Sequence, residues 1–160
     1  MIIKYPDPIL SKPIANFDFD YPPISPSDLS IQLLKEMNKT YGVGLSSNQL
    51  GLPYRAFAMR GYPENLVCFN PKIVYYSDNI ISMEEACLSF PGMIIKVKRP
   101  SEIRARFQTP SGMVVTKKFE GLTARTFQHE MDHMDGILFF NRANRYHREK
   151  ALKGYNNGRN

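Results

Sequence analysis

Tryptophan is missing from the 160 residues, cysteine occurs twice (Cys68 and Cys87), and the apolar runs, such as Ile137-Leu138-Phe139-Phe140, are only a few residues long. Each shortage excludes something. Two cysteines cannot build a disulfide framework, which points to a reducing compartment. A bilayer-spanning helix needs roughly 20 apolar residues in succession, so no membrane span is expected. The opening residues Met1-Ile2-Ile3-Lys4-Tyr5-Pro6-Asp7-Pro8 lack both a signal-peptide core and the Arg/Ser bias of a transit peptide, so a cytoplasmic protein is expected. What is present suits a single globular domain. Ten Phe and nine Tyr stand within a chain that is 42% hydrophobic, enough apolar surface for a core and against disorder.

Acidic residues are also in the minority, 15 against 21 Lys/Arg. The excess is local. Residues 1–141 hold 15 basic and 14 acidic side chains, whereas residues 142–160 hold six basic ones against Glu149 alone. The chain therefore divides into a nearly neutral domain, 1–141, and a short basic tail, 142–160. Such a tail is either a solvated face or a docking segment for a polyanion such as ribosomal RNA. The near-neutral domain argues against DNA binding.

Along the chain, prolines cluster before residue 27 and read as an extended entry segment. Ser25 as N-cap, Pro26 at the first helical position and Asp28 three residues after the cap predict a helix over 26–40, stopped by Gly42. Short runs rich in Val, Ile, Phe and Tyr follow: 54–59, 66–69, 72–76, 80–83, 94–98, 102–107 and 113–119. Thr109-Pro110-Ser111-Gly112 reads as a hairpin turn. A second helix is expected over about 122–134, and a short basic helix beyond Asn141, fraying at 154–160. Helix, many strands, helix predicts an α+β fold of antiparallel strands rather than a parallel doubly wound sheet.

The sharpest chemical signal is His129-Glu130-Met131-Asp132-His133. Helical positions four apart share a face, so both imidazoles can grip one divalent ion, with Glu130 able to reach a water beside it. Two of the chain's three histidines fall within this window. Two imidazoles do not complete a site. The elongated endopeptidase pattern would put a third His at position 139, which is Phe139. The downstream acid, Glu149, lies in the basic tail. Upstream, Cys87 in Glu85-Ala86-Cys87-Leu88-Ser89 has turn-forming neighbours that argue for exposure, and its thiolate is a soft third ligand. Cys68 reads as a core residue. In Gly42-Val43-Gly44-Leu45-Ser46-Ser47-Asn48-Gln49, two glycines permit close backbone approach and Gln49 offers an amide donor to an oxyanion. A helix end followed by a buried strand explains that segment equally well.

Taken together and in this order, the three segments resemble the peptide deformylases, whose patterns read GxGLAAxQ, EGCLS and QHExDH. The likeness runs from residue 1 to about 142 and includes Tyr5-Pro6-Asp7-Pro8-Ile9-Leu10 and Gly121-Leu122-Thr123-Ala124-Arg125. It is to a compact member with a short C-terminal tail, of the kind a phage or other reduced genome would encode. The resemblance implies antiparallel strands packed around a central metal-binding helix, and removal of formyl from formyl-methionyl N-termini of nascent peptides. By similarity, Cys87, His129 and His133 hold the metal, Fe(II) in vivo, with Zn(II), Ni(II) or Co(II) in purified protein. Glu130 is then the proton carrier. Gln49 and the backbone N–H of Leu88 hold the developing oxyanion, and Val43 and Gly44 pair with the peptide. Val43, Met83 and Leu122 are expected to line the methionine pocket, and Ala86 to narrow the groove beyond it. A monomer with a weak ribosome contact through its tail completes the expectation.

Three positions depart from the family pattern. Ser46-Ser47 replaces Ala-Ala and brings two hydroxyls that need partners if buried. Ala86 replaces Gly, a strain if that position requires a positive φ. Met134 replaces Leu. Two rival readings remain: a zinc endopeptidase built on the same helix, and an inactive relative that keeps the fold as a binding module.

Overall fold

Ser25 caps the first helix as its residue type predicts, its Oγ accepting from the Asp28 N–H at 3.3 Å. In this computed structural model, which describes residues 1–158, helix α1 spans Pro26–Lys39 and buries Leu29, Leu33 and Met37. It ends one residue earlier than glycine chemistry suggested. Tyr41, not Gly42, adopts the left-handed conformation (φ 54°), and the Gly42 N–H closes the end on the Met37 carbonyl at 3.0 Å.

Seven strands follow: β1 (Gly44–Ser46), β2 (Ala56–Met59), β3 (Leu66–Tyr76), β4 (Ile80–Cys87), β5 (Phe90–Pro100), β6 (Glu102–Gln108) and β7 (Val114–Glu120). All pair antiparallel, in a five-stranded sheet of order β1-β2-β3-β6-β7 and a separate β4–β5 hairpin. Runs 66–69 and 72–76, separate in sequence, are one strand. Asn70 takes a positive φ of 49° ahead of Pro71, and its amide bonds Phe17 and Gln108, carrying β3 across the proline as a bulge. The expected 109–112 turn is present, with Thr109 N–H bonded to Met113 O at 2.8 Å.

Helix α2 (Gly121–Met134) lies between the two sheets. Phe127, Met131 and Met134 pack with Phe57, Ile103, Phe107 and Phe119 of the large sheet. The region beyond residue 141 holds together further than the sequence suggests. Helix α3 (Arg145–Asn157) continues past Gly154, packs on β5, and buries Tyr155 in a cluster with Leu10, Phe90 and Phe140. Among the described residues, no helix is long and apolar enough to cross a membrane.

Candidate active site

One turn of α2 separates His129 from His133, and the end of β4 brings Cys87 to them. The ligand-competent atoms of the three residues lie within 4.8 Å of one another, and Cys87 Sγ stands 3.4 Å from His133 Nε2. Two donors each about 2.0–2.3 Å from a tetrahedral ion present such a separation, so the set fits one divalent cation with room for a further ligand. Cys87 is not exposed as its turn-forming context suggested. It is 8% accessible and belongs to an apolar cluster with Leu10, Phe90 and Phe139. Cys68 is fully buried, and burial raises its thiol far above the usual range.

Behind the imidazoles sits a network that the sequence left without a role. Glu85 Oε2 is 3.0 Å from His129 Nδ1, which leaves His129 Nε2 for the cluster. The same carboxylate accepts from Arg99 (2.5 and 3.0 Å) and from Arg125 (2.7 Å). Arg99 also reaches Asp132 at 2.9 Å, and Asp132 accepts from Arg142 at 2.7 Å. Orienting partners of this kind fix which ring nitrogen is offered. Asp132 and Glu85 were visible in their motifs; Arg99 carries no local signal.

Burial pushes the Glu130 carboxyl up to about 7, against the pull of neighbouring His129. It also holds His133 well below the usual imidazole range. Burial opposes charge on Glu85 and His129 as well, but hydrogen bonds outweigh it there. His129 and Arg99 hold Glu85 below the usual carboxylate range, while Cys87 and Glu85 hold His129 well above its own. Glu130 Oε2 is buried without a hydrogen-bond partner beside the three ligand-competent residues, an arrangement that fits a site completed by an ion and water.

Gln49 also approaches the Cys87 sulfur. Its Oε1 accepts from the Ser46 N–H (3.0 Å) and Ser46 Oγ (3.1 Å), so Nε2 is turned toward Ser89 Oγ (3.0 Å) and Cys87 Sγ (3.5 Å). Both extra hydroxyls are thereby satisfied: Ser46 by Asn48 and Gln49, Ser47 by the Tyr54 carbonyl.

A cleft of about 540 Å³ opens above this floor. Of the expected metal, catalytic and substrate-binding residues, all but His133 line it: Val43, Gly44, Gln49, Met83, Ala86, Cys87, Leu88, Leu122, His129 and Glu130. Lys4, Tyr41 and Thr126 line it too, without a motif to announce them. Its two long walls are the Tyr41–Gly44 segment and β4, which pairs only with β5 among the described residues and so turns its other edge to the cleft. Ala86 sits in β4 opposite Ile94, just before the irregularity at Ala86/Cys87; among the described non-glycine residues only Tyr41 and Asn70 have positive φ, so its methyl causes no strain. Gly44 needs its missing side chain for clearance. A Cβ there would come within 2.9 Å of Glu130 Cγ and Cδ.

Comparison with known proteins gives a consistent result. The sequence profile of the family described as polypeptide deformylase matches residues 1–149. The chain is 38% identical over 149 residues to peptide deformylase 1B, chloroplastic, of Oryza sativa subsp. japonica, covering 88% of this chain and 54% of that protein. It is 37% identical over 150 residues to a peptide deformylase of Desulforudis audaxviator, covering 93% and 96%. The crystal structure of peptide deformylase from Thermus thermophilus superposes with a TM-score of 0.91 at 35% identity, over 98% of this chain and 92% of that one. The chain thus spans about half the length of the plant relatives it matches and nearly all of the Desulforudis protein.

Proposed function

The chain belongs to the peptide deformylase family, and on that premise we propose that it hydrolyses the formyl group from the N-terminal formyl-methionine of newly made polypeptides, releasing formate and a free amine. The observation that carries this reading is the convergence of Cys87, His129 and His133 beside buried Glu130 and Gln49, at the floor of a cleft walled by a strand edge. A peptide can lie along such an edge in extended form.

The donor set suits a divalent ion, Fe(II) in the cell on this reading, with Zn(II), Ni(II) or Co(II) as substitutes. When bound, the ion polarises the formyl carbonyl and acidifies the attacking water. Glu130 takes the proton and later delivers it to the leaving amine. Gln49 Nε2, its amide orientation set by Ser46, and the Leu88 backbone N–H hold the negative charge that grows on the formyl oxygen. Met83, Val43 and Leu122 receive the methionine side chain, Gly44 and Val43 hold the peptide backbone, and Ala86 bounds the path beyond. The endopeptidase reading is not favoured. Phe139 packs its ring against His129, and exposed Glu149 is paired with Arg145.

Formate release from formyl-Met-Ala-Ser by anaerobically prepared Fe(II) protein is the test. Turnover that vanishes in Glu130→Gln is expected; no turnover by metal-loaded wild-type protein overturns the proposal in favour of a binding module.

The proposal extends to a cytoplasmic monomer with a weak ribosome contact through residues 142–160. Deleting that segment would also remove Tyr155 from the core and Arg142 from Asp132. Reversing the exposed charges of Arg145 and Lys153 is the cleaner test. Unchanged co-sedimentation with ribosomes at low salt rules the contact out.

A further inference from the structure

Residues 3–5 have no part in the mechanism so far, yet they join the two groups assigned to the oxyanion. The Ile3 N–H donates to the Gln49 carbonyl at 2.8 Å, and the Tyr5 N–H to the Ser89 carbonyl at 2.9 Å. Between them, the Lys4 ammonium donates to the Leu88 carbonyl at 2.5 Å. We propose that Lys4 is a positioning residue for deformylation, holding the Leu88 backbone in place relative to Gln49. The inference rests on the deformylase reading and adds a residue to it.

Connectivity carries the argument. Gln49 stands on the short turn Ser47–Leu50, whereas Leu88 follows the last residue of β4. The β4–β5 hairpin shares no ladder with the five-stranded sheet, so no strand pairing sets the spacing of these two residues. The side-chain bonds from Gln49 Nε2 to Ser89 Oγ and Cys87 Sγ engage the amide that must also meet the substrate's oxygen. The bonds from residues 3–5 end on main-chain carbonyls instead and leave that amide to the reaction. Ile3 and Tyr5 are anchored by packing against the cluster that contains Cys87, Tyr5 stacking on Phe90 with ring centroids 5.0 Å apart. Their two backbone bonds form with any side chain at position 4. The bond to Leu88 requires a long donor there, and the exposed Lys4, which lines the cleft, supplies it with a charge. The Leu88 carbonyl and N–H flank one Cα, so holding the carbonyl restrains the N–H. Removing an oxyanion donor outright costs about 10²–10³-fold in kcat, and loosening its support belongs near the lower end, about tenfold.

Two variants test it: Lys4→Met, which drops the donor, and Lys4→Arg, which keeps a charged one. The substrate is formyl-Met-Ala-Ser amide, which has no carboxylate for the ammonium to bind. In Lys4→Met, kcat is expected to fall about tenfold while KM stays within about twofold, as for an interaction used only in the transition state. Lys4→Arg should recover most of the loss, and thermal unfolding of both variants should match wild type, as befits an exposed position. An unchanged kcat in Lys4→Met overturns the assignment. So does a loss carried by KM, which makes Lys4 a substrate-binding group. A loss that Lys4→Arg leaves in place, or that comes with earlier unfolding, makes the contact merely structural and overturns it as well. Absence of turnover by the wild-type protein overturns the deformylase reading instead, and the two failures are distinct.

Discussion

At the scale of single residues, the site depends on what Gly44 omits. Its Cα faces the Glu130 side chain so closely that an added methyl must displace the carboxylate. Gly44→Ala is expected to lower kcat about 100-fold, since a shift of about 1 Å in a reacting group has effects of that order. KM should change much less, and circular dichroism should show a retained fold. Gly42 is less demanding, its nearest obstacle being the Gly44 carbonyl at 3.1 Å. The sequence showed that this pair of glycines permits close approach, but not what approaches. The reason is physical: Glu130 lies 86 positions away, and only the fold sets α2 against β1. Ligand types and spacing were legible because the helix alone puts His129 and His133 on one face. The burial of Cys87 was not legible, because Ser89, Pro91 and Gly92 nearby are turn-forming while Leu10 and Phe139, which share its cluster, are distant in sequence.

At the scale of elements, α2 and the β4–β5 hairpin are joined through charges. Glu85 and Asp132, both buried, share Arg99, and neither carboxylate lacks a guanidinium. Removing one partner from such a buried set typically costs about 3–5 kcal/mol. Glu85→Gln should therefore lower the unfolding free energy by about that amount, as read by urea titration. The sign of the pH effect follows from the depressed Glu85 carboxyl. A group held below its ordinary value of 4.5 in the folded state contributes its stability above that value and loses it as pH falls beneath. Wild-type metal-free protein should lose stability steeply below about pH 4.5, and the variant should show a flatter acid limb. Helix α1, α2 and most strands were readable from capping residues and apolar periodicity. The union of two runs into β3 was not, because Pro71 normally ends a strand and Asn70 supplies the exception through contacts with Phe17 and Gln108. Nor was the seating of α3, whose polar sequence gives little sign that Tyr155 enters the core.

At the scale of the whole molecule, the three metal-competent residues come from two bodies, Cys87 from the hairpin and the histidines from the helix that lines the large sheet. An ion gripping both bodies is a reversible cross-link. Joining position 87 to position 129 closes a loop of roughly 40 residues, and by the chain-entropy relation used for disulfides that restricts the unfolded ensemble by about 4 kcal/mol. For a domain of this length, stripping the metal with a chelator should lower Tm by about 10 °C. Cys87→Ala should start from the lower value and show little further response to the chelator. Equal Tm with and without chelator in the wild-type protein would contradict the cross-link. In this protein two cysteines too few for a disulfide framework can still supply one staple, made of a thiolate and two imidazoles, that fastens only while its ion is present.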